Sequence, residues 1–485
     1  MESTGDKDHS SSEQANANAS SDKGGKKPRS TLRRIINWVI ASTVFLLLLL
    51  YVLAAVLKWD AGARLEQKLK ELREREDVVT LDDVQRKHKT MLLALNNNGE
   101  TRLIAALDAM DAVTESQEWN VLPVVGNATI PDPGAELPQD TMGVLKGFLE
   151  SYKRFFELME RAAASERCVF SRAYKDGFDL ALPEVGRLRK AARISCLRSM
   201  YASCAGNGEE VLQSIGFVLK LGDALRSDWL IICQLVRVAV YQMAIVQVEY
   251  ALSSDALTAD QLARLQAMVP AEMDMEDLRM SLIGERAMGL ALFDSMAGGG
   301  FDLGGLGLAP PIAMSFLPKG WIKDQCIRYL NFMTAMVEQI RLPPRQACAE
   351  IRARNDRLAA EEFEGGLFRQ SQNFILAMLL PAMSSCYDSH LKATQRLLLA
   401  RTAIAAARFR RDNGRFPDTL DELVPAYLAE IPEDYFSAGK VGYVKNVAGC
   451  VIYSFGLDGQ DNKGAYNKND PDGSGGNDMV FRLVE

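Results

Sequence analysis

Asp470-Pro-Asp472-Gly-Ser474-Gly475 carries carboxylates, a hydroxyl and a glycine at the D-x-D-x-S-G spacing of a calcium loop, with Asp478 at its ninth position. Calcium takes roughly six to eight hard oxygen ligands, and the glycine at the sixth position lets such a loop turn sharply enough to supply them. The twelfth position is Phe481 instead of Glu, so a complete EF-hand is excluded. Asp458 and Asp461 precede the run, and Lys463 and Lys468 are its only bases. Acids folded together at this density repel one another unless a cation sits among them. The same Asp, Asn and Gly residues also build a polar turn that binds nothing, and the composition alone leaves both readings open.

Other chemistries find few residues. The chain has three His, namely His9 in a polar N-terminal tail, His88 in a charged segment and His390 in a helical pattern. They form no Ser-His-Asp or Cys-His set, and there is no H-E-x-x-H, no G-x-S-x-G and no G-x-G-x-x-G after a strand. The eight Cys are scattered without a C-x-x-C pair, which leaves zinc and thioredoxin-type chemistry unsupported. Carboxylates such as Glu350, Glu361, Glu362 and Glu364 are numerous on predicted helices, and an acid–base enzyme built from carboxylates is one reading of them. A net charge of -7 and a pI near 5.4 argue against a nucleic-acid partner, which would need a basic patch.

The elements that must position the acidic loop begin at the other end of the chain. Ile35–Leu57 reads IINWVIASTVFLLLLLYVLAAVL without a charge, and at about 1.5 Å per residue it spans a hydrocarbon core of about 30 Å. Lys23, Lys26, Lys27, Arg29, Arg33 and Arg34 precede it, whereas acids and bases mix after it. The positive-inside bias places the N-terminus in the cytoplasm and the bulk of the chain outside it. A cleaved signal peptide is the competing reading, but the apolar run is longer than a usual signal core. Residues 1–34 are therefore expected to be a disordered cytoplasmic tail and 35–57 a transmembrane helix.

Residues 58–140 read as a helical stalk and a Pro-rich linker. AGARLEQKLKELREREDV (61–78) alternates charges at helical spacing, and Asn120–Asp140 holds four prolines. Residues 141–388 repeat apolar positions three and four apart, which predicts a mainly α domain of helical hairpins. Arg187–Leu225 and Ser227–Met268 are the clearest pairs, with breaks at Gly206–Gly208 and Ser253–Asp255. Ala297–Pro311 is a glycine-rich apolar loop without the Lys-Ser/Thr of a phosphate-binding loop, and Phe374–Met383 reads as a buried helix kinked at Pro381. From residue 389 a helical run leads to candidate strands GYVKNV, GCVIYSFG and MVFRL, an order that suggests a small α+β module with an antiparallel sheet over 389–485.

Within that last part, several pieces occur in the order found in one family. They are Asn413-Gly414-Arg415-Phe416-Pro417, Leu420–Leu423, Ile431-Pro432-Glu433-Asp434-Tyr435, Ser454-Phe455-Gly456-Leu457-Asp458-Gly459-Gln460 and Asn477-Asp478-Met479. Over about a fifth of the chain this resembles the globular half of the major pseudopilin of bacterial type II secretion systems. The resemblance implies that fold, a structural calcium ion, Asp458 and Asp478 as its first ligand candidates, and a bacterial inner membrane. Asp470 and Asp472 fall in an insertion relative to the family pattern. Ile35–Leu57 lacks the prepilin cleavage site and the early Glu of pseudopilins, so fold and ion site carry over and the secretion function does not. The expectation is a membrane-anchored envelope scaffold with protein partners. Membership of a secretion or pilus-like apparatus and a carboxylate enzyme are the alternatives.

Overall fold

A run of apolar residues without breakers makes helix α1, Arg29–Leu57, in a computed structural model that describes residues 29–57, 60–76, 78–135, 137–298, 319–364, 366–447, 449–465 and 477–484. The chain divides into two units, Met1–Leu57 and Lys58–Glu485. In the first, the side chains of Ile36–Leu49 are all exposed. Apart from Asn37, Ser42 and Thr43, these side chains are apolar.

The second unit is mainly helical and ends in a three-stranded antiparallel sheet. Helix α2 (Ala61–Arg75) occupies the segment expected to be a solvated stalk, but it buries Ala61, Leu65 and Leu72 against α12 (Lys319–Gln339). Its heptad-spaced apolar stripe is narrow and flanked by so many charges that composition conceals it. Arg64 bridges to Asp324 of α12 at 3.2 Å. Helix α3 (Leu81–Ala94) starts at a capping box in which Thr80 and Asp83 satisfy each other's backbone N–H groups. His88 of α3 is likewise no stalk residue. It is buried with Nε2 at 3.0 Å from the Phe170 carbonyl and its ring edge-on to Tyr174.

Helices α4 (Glu100–Asp111), α5 (Gln139–Ser151) and α6 (Lys153–Ala163) follow, and the Pro-rich segment between α4 and α5 buries Leu122 and sets Trp119 against Phe148 and Tyr152. Next come α7 (Pro183–Cys204) and α8 (Gly208–Asp223), then α9 (Ile231–Ser253) and α10 (Ala259–Met268), with turns at the two predicted breaks. Helix α9 is long and apolar enough to cross a membrane, yet about two thirds of its apolar stretch is buried inside the protein. It packs on α7, α8, α11 (Met275–Gly298), α14 (Gly366–Asn413) and the sheet. Most of Ala297–Pro311 lies outside the described residues, as do the side chains of Phe374–Met383. Pro344 opens α13 (Pro344–Glu364), and α14 runs unbroken through both Pro381 and the boundary expected at residue 389.

The sheet has order β1 (Gly442–Asn446), β2 (Gly449–Ser454), β3 (Met479–Val484), with Tyr443 opposite Ile452 and Ile452 opposite Phe481. Strands β2 and β3 lie on α14, and β3 also reaches α9. Polar groups fasten this sheet-bearing end to the helices. Arg482 donates from its backbone N and its Nε to Glu249 of α9, at 3.2 and 3.3 Å. Arg401 donates to the Gln266 and Val269 carbonyls at the C-terminus of α10, at 2.8 and 2.6 Å, where a cation also meets the negative end of the helix dipole.

Long-range arginine pairs recur elsewhere. Arg286 of α11 is fully buried, pairs with Glu76 beyond α2, and donates to the Val78 carbonyl at 3.1 Å. Arg172 sits between Asp228 and Glu184, and Tyr174 donates to the same Asp228 at 3.0 Å. Removing one partner of such a pair leaves the other charge buried and alone. Glu76→Ala is therefore expected to cost about 3 kcal/mol of stability, read from the urea midpoint of the full chain in detergent. An unchanged midpoint would show that α2 is not held by this pair.

Candidate functional site

The acidic loop joins β2 to β3 and is anchored from below by one aspartate. Asp434 is fully buried. Its Oδ1 accepts from the Phe436 N at 2.8 Å and from Ser454 Oγ at 3.0 Å, and its Oδ2 accepts from the Phe455 N at 2.8 Å. The turn Ile431–Tyr435 is thereby tied to the end of β2, and Gln395 of α14 holds the neighbouring Tyr435 N at 2.9 Å. Three donors on one carboxylate make this a structural clamp. The sequence shows Asp434 as part of the family-like turn, but only the fold shows that its carboxylate closes the loop.

Above it the chain winds through left-handed backbone at Gly456, Gly459, Lys463 and Gly464. At Gly464, with φ +71°, a Cβ would stand 3.0 Å from Val451 Cγ1, so glycine serves both the turn and the close approach to β2. Asp478, at the head of β3, is buried and accepts from the Asn462 N at 3.3 Å and the Gly464 N at 2.7 Å. Burial pushes its carboxyl above the usual range against the pull of those two N–H groups, and the charges of Asp461 and Asp458 push the same way. Asp458 is exposed and accepts from the Gln460 N at 3.0 Å, and Asp461 does the same for the Lys463 N at 2.7 Å.

Of the four sequence-predicted ligands, the structure places Asp458 and Asp478 on one loop and within electrostatic reach of each other. Asp470 and Asp472 lie outside the described residues. Among the described residues no group of three or more His, Cys, Asp or Glu is arranged to hold a metal ion. The described part of the loop can offer a cation Asp458, Asp461 and backbone carbonyls. Asp478 has one hydrogen bond on each of its carboxylate oxygens, and a carboxylate oxygen has room for a further contact.

Most of the other reactive groups are buried. His390 is buried with Nε2 3.4 Å from the Met273 carbonyl, and burial pushes its pKa down to about 4, so it stays neutral. Glu249, Asp277 and Glu285 are pushed up by burial. Glu249 answers Arg482, Asp277 answers Arg237 at 2.8 Å and Arg226, and Glu285 takes the Ile231 N at the start of α9. Burial likewise pushes the thiols of Cys168, Cys196, Cys326, Cys386 and Cys450 up to about 12, and Cys204 is exposed.

No family model, curated protein or solved structure matches this chain.

The different roles of the aspartates are separable by mutation. Asp434→Ala is expected to lower stability by about 3 kcal/mol, since three donors, one of them fully buried, lose a charged acceptor. Asp458→Ala should change it by less than about 0.5 kcal/mol, as exposed substitutions do. Thermal melts of the two full-length variants check this, and equal losses would remove the clamp role from Asp434.

Proposed function

We propose that this protein is a single-pass, membrane-anchored scaffold whose folded unit stands outside the cytoplasm of a bacterial cell. The observation that supports it is α1, whose described side chains Ile36–Leu49 are mostly apolar and all exposed and which follows a basic segment on its N-terminal side. That combination favours a lipid environment with the basic flank inside. The folded unit gives broad helical surfaces of the kind used to hold partner proteins. The test is to label the full chain in intact spheroplasts with a membrane-impermeant maleimide. Cys204 should be labelled without lysis, Cys204→Ser should abolish the signal, and alkaline carbonate should leave the chain in the membrane pellet. Labelling only after lysis, or release by carbonate, would overturn the anchor or its orientation.

The acidic loop supports a second element of the reading, a structural calcium ion with Asp458 and Asp478 among its ligands. The motivating observation is the raised Asp478 carboxyl beside Asp458 and Asp461. A carboxyl whose folded pKa lies above its unfolded value of 3.8 contributes stability at low pH that is lost as pH rises through the folded pKa. A bound calcium would offset that loss, because it prefers the ionised form. Calcium added to the chelator-treated full chain should therefore raise its melting temperature at pH 7 and not at pH 3.5, and Asp458→Asn with Asp478→Asn should erase the effect. An identical response in that double variant would place any bound calcium elsewhere. Co-purification with secretion proteins would instead favour the apparatus reading.

A further inference from the structure

Beside the C-terminal ends of α6 and α8 lies a cavity of about 100 Å³, on the order of three water molecules in size. Its apolar lining includes Leu103, Met159 and Ala224. The remainder carries charge of both signs from Glu166, Arg167, Lys220 and Asp223. These four do not neutralise one another. Arg167 donates to Ser227 Oγ at 3.2 Å and Lys220 to the Ser165 carbonyl at 3.4 Å, and neither forms an ion pair among the described residues. Glu166 has no hydrogen-bond or ion-pair partner there, and Asp223 takes the Tyr241 hydroxyl on one oxygen and feels the charge of Arg226 without a hydrogen bond or ion pair to it. The third cation of the cavity, Arg226, is already held by Asp274 and Asp277 at 3.1 and 3.0 Å.

Elsewhere on this surface opposite charges find each other, as in Arg264 with Glu209 at 2.7 Å and Arg187 with Asp111 at 2.6 Å. Here two cations and two carboxylates border one small space and stay apart. A simple anion would meet Glu166 and Asp223, and a simple cation would meet Arg167 and Lys220. A molecule with a carboxylate and an ammonium a few bonds apart satisfies both sets, and a short aliphatic group on it covers the apolar lining. We propose that this cavity binds a small aliphatic α-amino acid, its carboxylate on Arg167 and Lys220 and its ammonium on Asp223 and Glu166. The site is separate from the acidic loop and does not depend on the membrane placement of the chain.

The experiment is calorimetric titration of the detergent-solubilised full chain with glycine, L-alanine and L-valine, beside acetate, methylammonium and inorganic phosphate. Saturable binding of at least one amino acid is expected, at least tenfold tighter than any of the three single-charge probes. Lys220→Gln and Glu166→Gln should each weaken it at least tenfold. Both side chains are exposed, so folding is retained, and an unchanged circular dichroism melt verifies it. Absence of binding by all three amino acids would overturn the proposal. So would binding that neither variant weakens, or binding of acetate or phosphate as tight as that of the amino acids.

Discussion

Helix α9 sets the constraint on which the folded unit depends: it is as apolar as a membrane span, yet its polar residues must be matched inside a protein core. Gln234 donates to the Leu225 and Arg226 carbonyls, Arg237 pairs with Asp277 of α11, and Glu249 receives Arg482 from β3. A charge buried without such a partner would cost several kcal/mol. Each pair thus requires a specific neighbour in a specific place. Helices α7, α8, α11 and α14 and the sheet are those neighbours, which is how one helix ties the middle of the chain to its C-terminal sheet.

The same rule extends to the periphery. Arg286 draws the segment after α2 into the core, and Arg401 closes the end of α10 from α14. Arg172 gathers Glu184 of α7 and Asp228 of the segment between α8 and α9. Burial of apolar side chains drives the collapse, but it is indifferent to which apolar surface meets which. The buried arginines discriminate between arrangements, since a shifted packing would leave each of them unpaired. In the acidic loop, Asp434 does this from inside the fold. Asp478 does it at the boundary, where its two N–H donors compete with burial and with like charges.

Much of this was legible in the residues. The breaks at Gly206–Gly208 and Ser253–Asp255 separate helices where the periodicity stops, because glycine and short polar residues end a helix locally. The three candidate strands form one antiparallel sheet at the predicted positions, since alternation and flanking glycines are local signals. The segment after α1 was not legible as core. In α2 the charges outnumber the apolar residues, and the face that Leu65 and Leu72 bury is defined only by the presence of α12. His88 was misplaced for the same reason: what surrounds it, Phe170 and Tyr174, lies more than eighty residues away in sequence.

By itself the sequence determined the mainly helical class, the apolar N-terminal helix, the order of the closing strands and the crowding of aspartates between two of them. Those are matters of periodicity and composition, which act over a few residues. Only the tertiary structure decided that Asp434 clamps the loop while Asp458 faces water, that β3 is fastened to α9 and α14 to α10, and that Arg167, Lys220, Glu166 and Asp223 share one cavity. Burial and pairing depend on residues brought together from distant parts of the chain, and no local pattern records who the partner is.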